Sequence, residues 1–325
     1  MSSPKVPSHL ARRFTDLSAA QVDALVGSLQ TNYFPRHIWG DVQLSSEQWL
    51  ATPEGLRDLD EHTRRRLHAF RTQVVPWLDS ARPLSGARIL EIGCGTGAST
   101  VALAEQGASV TAIDIDAESL VVARDRCRLH GVDAEFMRVN GAAAAELPAL
   151  GQFDLVIFFA CLEHMTYEER LAAMRTTWNG LKPAALWCSI ETPNRLWWFD
   201  EHTSFLPFYN WLPDELAFDY SRYSPRDPFR SSYRERGDEA FTSFLRHGRG
   251  VSYHEFELAM MDAAQLDVVS SLPLWLRRDG LLGWRALKRL RKLKHRYERL
   301  IASLRPDLHR GFFQPYLDLI IRKSG

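Results

Sequence analysis

The sequence predicts an α/β fold: a doubly wound, mostly parallel sheet of seven strands, preceded by a helical cap and interrupted by a lid insertion. Beyond residue 87, short apolar segments alternate with segments of helical periodicity. Within the predicted strand 153–159, residues 155–159 are all apolar, as expected of a strand covered on both faces. A glycine-rich turn joins the first strand to a helix, which is typical of doubly wound sheets.

Residues 1–80 are predicted to form the N-terminal helical cap. Ser18 and Gln21 fit a capping box at the start of one helix. Thr52 and Pro53 fit the N-cap and the first position of another. Apolar residues at helical spacing predict one buried stripe on the second helix: Leu56, Leu59, Leu67, Phe70, Val74 and Leu78.

Residues 81–325 are predicted to form the core domain. Its strands are expected at 87–92, 109–113, 134–139, 153–159, 184–191, 266–271 and 316–321. Its helices are expected at 99–105, 117–130, 167–178 and 253–264. Two insertions interrupt this alternation: an aromatic lid at 194–250 and a basic helical segment at 273–311.

Composition narrows the class of protein. The 325 residues are 45% apolar and 25% charged, which are ordinary globular values. Because 40 basic residues balance 40 acidic ones, no overall positive charge favours nucleic acid as a partner. The four cysteines show no C-x-x-C spacing, and the N-terminus lacks the apolar core of a signal peptide. These features predict a cytoplasmic protein with reduced thiols.

The turn after the first strand contains Gly93, Gly95 and Gly97, and it leads directly into a helix. A strand, a glycine turn and a helix N-terminus in this order predict a nucleotide site. Gly93, Gly95 and Ala98 also satisfy the dinucleotide fingerprint, so the glycines alone do not decide the ligand. Glu91 favours a different cofactor, because its carboxylate would repel a pyrophosphate and attract the cationic amino acid part of S-adenosylmethionine.

The pattern Glu-x-Gly-x-Gly-x-Gly at residues 91–97 resembles motif I of the class I S-adenosylmethionine-dependent methyltransferases. This resemblance implies a Rossmann-like fold from about residue 85 onward. It assigns S-adenosyl-L-methionine as the cofactor, contacted by Glu91, Gly93, Cys94 and Gly95. Asp114, at the end of the second strand, is expected to accept hydrogen bonds from the ribose hydroxyls. The family also implies that Ile115 flanks the adenine.

Two later segments carry the resemblance further. Asn140 and Gly141 stand where related sequences usually have Gly-Asp, and the adenine contact is assigned to them despite this departure. Residues 160–165 resemble the motif after strand four in small-molecule methyltransferases, which assigns Ala160 to the cofactor. His164 stands where the methyl donor and acceptor should meet. With an ordinary pKa of about 6.5, it is either a base or a positioning residue.

The aromatic lid begins at the carboxyl end of the fifth strand, where ligands bind in open α/β sheets. Five of its aromatic residues are predicted to line the acceptor pocket: Trp197, Trp198, Phe199, Phe205 and Tyr209. The alternative is a satellite hydrophobic cluster beneath a long loop. His202 is the second candidate base, and Glu201 is a further catalytic candidate.

The function predicted from these residues is methyl transfer to a small molecule, most readily O-methylation of a hydroxyl on a natural product, sugar or lipid-like metabolite. Two alternatives stay open. One is C-methylation of a prenyl diphosphate-like acceptor, whose diphosphate would be held by Arg222, Arg226, Arg230 and Arg234. The other is a non-catalytic partner protein that binds the cofactor.

No metal site is predicted, because no His/Cys/Asp group has recognisable ligand spacing. Asp200 and His202, two residues apart, are the pair that comes nearest to a set of metal ligands. Residues 281–304 are predicted to form a basic amphipathic helix. It is expected to be a solvated outer face, with transient contact with a membrane surface as the alternative. Assembly into a homo-oligomer also stays open.

Overall fold

The computed structural model describes residues 14–37, 44–233, 236–278 and 288–325. The chain folds into two compact units, Met1–Ile157 and Phe158–Gly325. The helical segment at the N-terminus therefore belongs to the same unit as the first strands. The division into a cap ending at residue 80 and a core domain stays a prediction.

All seven predicted strands are present. They are Arg88–Ile92 (β1), Ser109–Asp114 (β2), Glu135–Arg138 (β3), Leu155–Phe159 (β4), Leu186–Ile190 (β5), Asp267–Ser271 (β6) and Leu319–Arg322 (β7). They form one sheet in the order β3-β2-β1-β4-β5-β7-β6. β1 pairs with β2, and β2 with β3, in parallel. β7 pairs antiparallel with both β5 and β6, so the α/β fold is confirmed with a mixed sheet.

The described N-terminal residues form six short α-helices, and two of them begin where the sequence predicts. The six are Ala19–Ser28 (α1), Phe34–His37 (α2), Ser46–Leu50 (α3), Pro53–Asp60 (α4), Arg66–Ala69 (α5) and Val75–Ala81 (α6). The Ser18 backbone N–H donates to Gln21 Oε1 at 2.9 Å, and the Gln21 N–H donates to Ser18 Oγ at 3.4 Å. Thr52 caps α4 by accepting from the Gly55 N–H at 2.9 Å. Both helix starts are confirmed.

The predicted stripe of the second helix is buried in part. Leu67, Phe70, Val74 and Leu78 are buried, whereas Leu56 is 56% exposed, so the prediction is wrong at that position. A π-helical segment at Glu61–Arg65 separates Leu56 from the buried part of the stripe. A π-helical turn changes the number of residues per turn, so 3.6-residue spacing does not carry across it.

Two helices of the first unit pack close to the glycine turn: Ala98–Ala104 (α7) and Ala117–His130 (α8). Asp116 caps α8 by accepting from the Ser119 N–H at 3.1 Å. Gly131, with φ 67°, ends α8 in the left-handed conformation. Val122 of α8 packs in a hydrophobic cluster with three buried residues of the N-terminal helices: Leu25, Leu29 and Phe34.

The second unit contains seven α-helices within its described residues. They are Tyr167–Gly180 (α9), Asp214–Tyr220 (α10), Asp227–Ser232 (α11), Asp238–Leu245 (α12), Tyr253–Ala259 (α13), Leu272–Arg278 (α14) and Lys288–Leu304 (α15). Many apolar residues of the aromatic lid form a hydrophobic cluster of their own, around Tyr209, Phe218 and Phe244. In the part of the chain that the structure describes, no helix has both the length and the apolar character needed to cross a membrane.

Candidate functional site

The glycine turn of the first unit follows β1 and is fixed by backbone hydrogen bonds. The N–H groups of Gly93 and Cys94 donate to the Ile113 carbonyl at 2.9 and 3.2 Å. A Cβ on Gly97 would lie 2.8 Å from Ala123 of α8, and Gly97 has φ +78°, so only glycine fits there. A Cβ on Gly95 would have no atom within 4 Å. The turn is therefore packed on one side at Gly97 and open at Gly95.

Asp114 lies beside this turn at the end of β2. Its Oδ2 accepts from the Gly95 N–H at 2.8 Å, and its Oδ1 accepts from the Asp116 N–H at 2.9 Å. Burial raises its pKa above the ordinary value. The neighbouring Ile115 is 60% exposed. A fixed carboxylate beside an exposed apolar side chain suits a ribose and a flat base, although both contacts stay predictions.

Glu91 is fully buried on β1. Its carboxylate accepts hydrogen bonds from the Ser99 and Thr100 hydroxyls of α7, the latter at 2.7 Å. Burial raises its pKa to about 7. The structure thus gives Glu91 the role of tying β1 to α7. Its predicted attraction for the amino acid part of the cofactor stays a prediction.

Asn140 and Gly141 form a tight turn after β3. Asn140 Oδ1 accepts from the Ala142 N–H at 3.0 Å, and the Asn140 carbonyl accepts from the Ala143 N–H at 2.8 Å. Gly141 is buried within this turn. Their contact with adenine stays a prediction.

The sequence analysis did not predict that a buried arginine, Arg126, stabilises the glycine turn by hydrogen bonds. Arg126 of α8 is fully buried, and its Nε donates to the Thr96 carbonyl at 2.7 Å. Its guanidinium also donates to the His62 carbonyl at 2.8 Å. The ring of His62 lies 4.4 Å from that of Tyr33, whose pKa is raised by burial and by nearby carboxylates that include Asp114. Thr96 lies within the recognised motif, but no sequence signal pointed to Arg126.

In the second unit, two predicted catalytic residues lie together with one that was not singled out. Glu163 and His164 belong to a 3₁₀ turn, Leu162–His164, that follows β4. The Nε2 atoms of His164 and His202 each lie 3.8 Å from Oε1 of Glu163. Glu163 is fully buried, and burial raises its pKa to about 7. We refer to these three residues as the Glu163 cluster.

Both histidines are oriented through their other ring nitrogen. His164 Nδ1 lies 3.0 Å from the Arg246 carbonyl, which can only accept, so Nδ1 carries the hydrogen. His202 Nδ1 lies 2.9 Å from the Thr203 hydroxyl, which itself donates to the Gly248 carbonyl at 3.1 Å. His202 Nδ1 is therefore also a donor. In both rings Nε2 is the nitrogen that lies 3.8 Å from Glu163 Oε1.

The acidic neighbours of His202 have other partners. Asp200 accepts from the backbone N–H groups of His202 and Thr203, both at 3.2 Å, and from Ser204 N–H at 2.6 Å. Asp200 thus closes a loop, and the pairing of Asp200 with His202 at a metal is not supported. Glu201 forms an ion pair with Lys294 of α15. Its catalytic role stays a prediction.

The predicted acceptor residues divide into two groups. Tyr209 is fully buried in the hydrophobic cluster of the lid, and Trp197 is buried edge-to-face against Tyr297 at 5.2 Å. For Tyr209 the structure favours the satellite cluster, because its ring lies in that cluster. Trp197 lines a small cavity together with Phe199 and His202, so its contact with the acceptor stays a prediction. Trp198 and Phe199 are half-buried, with ring centroids 5.4 Å apart. Phe205 is 39% exposed. These three remain candidates for acceptor contact.

Two further assignments of the second unit can be placed. Ala160 follows β4 with φ 41°, and its N–H donates to the Ile190 carbonyl at 2.9 Å. Arg226, a candidate for diphosphate binding, donates to the carbonyls of His202 and Thr203 at 3.0 and 2.8 Å. The Arg226 guanidinium is therefore already hydrogen-bonded to the loop that contains His202 and Thr203. Arg234 lies outside the described residues. The diphosphate alternative gains no support.

The second unit also contains a cavity of about 420 Å³. Its lining is Arg195, Leu196, Trp211, Ser252, Tyr253, His254, Tyr297, Ile301, Leu304, Arg305 and Phe313. The described lining includes none of the five predicted acceptor residues. A cavity of this size is within the range of small-molecule sites.

Residues 89–184 match the sequence model of a family described as "Methyltransferase domain". The match contains the glycine turn, Asp114 and His164 with the strands that position them. The chain contains a class I S-adenosylmethionine-dependent methyltransferase domain. The family resemblance and its cofactor are thereby confirmed at the level of this domain.

Two relatives are named "Ubiquinone biosynthesis O-methyltransferase". That of Pseudomonas entomophila (strain L48) is 35% identical over 118 residues, which cover 36% of this chain and 49% of the relative. That of Pseudomonas aeruginosa (strain LESB58) is 39% identical over 100 residues, covering 30% and 42%. The chain thus spans at most about half the length of these curated relatives.

Among solved structures, the methyltransferase domain is similar to the S-adenosylmethionine-dependent methyltransferase SibL in its apo form. The TM-score is 0.45 and the identity 19%, over 82% of this chain and 67% of that one. Magnesium protoporphyrin IX methyltransferase from Synechocystis PCC 6803, with bound S-adenosylmethionine, gives a TM-score of 0.37 and 22% identity, over 56% and 80%.

Proposed function

We propose that the protein transfers the methyl group of S-adenosylmethionine to a hydroxyl oxygen of a small-molecule acceptor. The Glu163 cluster carries this proposal, because Nε2 atoms of two imidazoles lie 3.8 Å from the same oxygen of one buried carboxylate. A hydroxyl must lose its proton when its oxygen is methylated, and imidazole and carboxylate groups assist such a loss. The relatives named as O-methyltransferases also support oxygen as the methylated atom.

The first unit would hold the methyl donor. The Asp114 carboxylate is fixed by two backbone N–H groups, and its remaining lone pairs suit the two ribose hydroxyls. Gly95 leaves the turn open for a ligand that approaches its backbone. Ile115 supplies exposed apolar area for the base. These groups bind and orient the donor and leave the chemistry to its sulfonium methyl.

The reaction has a simple balance. The acceptor oxygen forms a bond to the methyl carbon while the bond from that carbon to sulfur breaks. The sulfonium becomes a neutral thioether, and the hydroxyl proton is released. Positioning the oxygen at about 3–3.5 Å from the methyl carbon supplies most of the acceleration in reactions of this kind. Assistance by the Glu163 cluster adds about 10²–10⁴-fold.

The direct test is a search for turnover. Purified protein is incubated with methyl-labelled S-adenosylmethionine and a panel of phenols, catechols, sugars and aliphatic alcohols, and products are identified by mass spectrometry and NMR. We expect an O-methyl product and an equal amount of S-adenosylhomocysteine. A methyl group found only on carbon or nitrogen would contradict the proposal. Tight cofactor binding with no turnover on any acceptor would support the non-catalytic alternative.

Cofactor binding is tested separately with Asp114→Asn. Loss of charge-assisted hydrogen bonds to the ribose costs roughly 1.5–3 kcal/mol, or about ten- to a hundredfold in affinity. Calorimetry should show this loss for S-adenosylmethionine, and no binding of NAD to the native protein. Asp133→Asn, at an exposed position of the same unit, is the matched control and should bind normally. Equal affinity in the two variants would remove Asp114 from the site.

A further inference from the structure

We propose that Glu163, His164 and His202 hold a divalent transition-metal ion. One ligand atom from each residue, a carboxylate oxygen and two ring nitrogens, lies within 4.8 Å of the other two. All three residues belong to the second unit. Two imidazoles and one carboxylate form a known ligand set for such ions, and they leave coordination positions open.

The carboxylate is the first reason. Glu163 is fully buried, yet neither of its oxygens has a hydrogen-bond partner among the described residues. A buried carboxylate without hydrogen bonds is costly unless a cation neutralises it or it takes up a proton. Among the charged groups around it, His202 and Arg170 lower the pKa of Glu163 and Glu191 raises it, but Arg170 is itself paired with Glu255 at 3.0 Å. This environment favours a bound cation.

The histidines are the second reason. Nδ1 of each ring donates to a fixed oxygen, the Arg246 carbonyl or the Thr203 hydroxyl, so Nε2 is the unprotonated nitrogen when the ring is neutral. Metal-binding histidines commonly show this arrangement, in which the second nitrogen donates to a neighbouring oxygen. Gly248 permits it, since a Cβ there would lie 2.7 Å from Thr203 Oγ1 and 3.3 Å from His202 Nδ1.

The distances are the third reason. At 3.8 Å, Nε2 of either histidine is too far from Glu163 Oε1 for a hydrogen bond, for which about 2.7–3.2 Å is normal. A protonated Glu163 carboxyl has one hydrogen, so it could donate a hydrogen bond to only one of the two Nε2 atoms. Ligand atoms about 2.0–2.2 Å from a common ion lie roughly 3–4 Å from one another. Both distances from Nε2 to Glu163 Oε1 are within this range, and the ligand atoms of all three residues lie within 4.8 Å of one another.

The donor set indicates the class of ion. Imidazole nitrogen suits zinc, iron, cobalt and nickel, whereas calcium and magnesium prefer oxygen ligands. A role in turnover rests on the proposed function. An open position on the ion would take the acceptor oxygen and lower the pKa of its hydroxyl. The proton would leave to solvent, and the oxygen would attack the methyl carbon. His164 and His202 would then be ligands and would not themselves act as bases.

Direct metal binding tests the site. Chelator-treated protein is titrated with Zn²⁺ and with Co²⁺ by calorimetry, and Co²⁺ binding is also followed by visible absorption. We expect one ion per chain and at least tenfold weaker binding in Glu163→Gln and in His202→Gln. His254→Gln, at an exposed histidine of the same unit, is the control and should bind the ion like the native protein. Circular dichroism and S-adenosylmethionine affinity confirm that each variant is folded.

Different results separate the two proposals. Failure of the folded native protein to bind either ion, or unchanged affinity in Glu163→Gln, would overturn the metal site and leave the proposed function standing. Saturable metal binding that Glu163→Gln abolishes would support the metal site, whether or not a hydroxyl acceptor is methylated. The absence of methylation on every hydroxyl acceptor would contradict only the proposed function. Full methyl transfer by the chelated protein would overturn the role of the ion in turnover.

Discussion

Among the described residues, burial raises the pKa of three buried carboxyl groups to about 7: Glu91, Glu163 and Asp318. Their partners differ. Glu91 accepts from two hydroxyls, and Asp318 accepts from the Glu191 N–H at 2.6 Å. The oxygens of Glu163 accept no hydrogen bond from the residues that the structure describes. The first two carboxyl groups therefore have structural partners within the protein, whereas Glu163 is ready to receive a ligand or a proton.

Glu91→Gln tests how the buried Glu91 carboxyl group affects the free energy of unfolding at different pH values. Its pKa is about 7 in the folded protein and 4.5 ordinarily, so the folded state binds the proton more tightly. The resulting stabilisation is fully present below about pH 4.5 and is lost as the pH rises through 7. Between pH 5 and pH 8 the native protein should lose on the order of 1–3 kcal/mol of unfolding free energy that the variant keeps.

Urea unfolding at the two pH values measures this difference. Glutamine has nearly the shape of glutamate and can still bond to the Ser99 and Thr100 hydroxyls, so the variant should fold. Glu146→Gln, at an exposed position of the same unit, is the control and should follow the native protein. Parallel pH profiles for Glu91→Gln and the native protein would show that Glu91 does not titrate in this range.

At the scale of elements, local signals predicted most of the fold. The strands were found because short apolar runs are bounded by turn residues, and α1 and α4 because Ser18 and Thr52 are recognisable caps. The antiparallel direction of β7 between β5 and β6 was not predictable, because strand pairing depends on distant residues. The π-helical segment Glu61–Arg65, which follows Leu56, left no pattern in the sequence.

The candidate site also has one part that local sequence signals predict and one part that they do not. Asp114 and the glycine turn lie within one motif and the adjacent strand end, so they could be placed from the sequence. The Glu163 cluster needs the insertion to bring His202 to Glu163, which the sequence does not reveal. Aromatic composition could not separate Tyr209, in a hydrophobic cluster, from the exposed Phe205, because core and pocket require the same residue types.

The glycine turn gives a prediction for two neighbouring positions. Gly97→Ala should destabilise the protein by about 2–4 kcal/mol, because it combines left-handed strain with overpacking. The added Cβ would meet Ala123 at 2.8 Å. Gly95→Ala meets no atom within 4 Å and should cost only about 1 kcal/mol, from its positive φ.

Cofactor affinity should separate the same two variants in a second way. Because the proposed cofactor approaches the backbone at Gly95, Gly95→Ala should weaken S-adenosylmethionine binding by at least tenfold while the protein stays folded. Thermal unfolding and calorimetry measure the two effects. If Gly97→Ala were as stable as Gly95→Ala, the packing of α7 on α8 would not depend on this glycine. Normal affinity in Gly95→Ala would place the cofactor elsewhere.

At the scale of the molecule, a buried ion pair joins the N-terminal helical segment to the rest of the first unit. Arg71 Nε donates to Glu105 Oε2 at 2.9 Å, and its terminal nitrogen pairs with the other oxygen. The same guanidinium donates to the Thr15 carbonyl at 3.1 Å and lies 5.0 Å from the Phe14 ring. Both partners of the pair are almost fully buried. This contact argues that the segment and the first strands unfold together.

Arg71→Met should therefore destabilise the whole first unit. Removing one partner leaves Glu105 buried and unpaired, which costs about 3–5 kcal/mol, whereas replacing both partners by apolar residues is often neutral. Arg71→Met/Glu105→Met should accordingly recover most of the lost stability. Arg57→Met, which breaks an exposed pair with Glu54, is the control and should change stability by about 0–1 kcal/mol. Urea unfolding followed by circular dichroism measures all three. If Arg71→Met shifted only a separate early transition and left S-adenosylmethionine affinity intact, residues 1–80 would be an independent domain, as the sequence predicted.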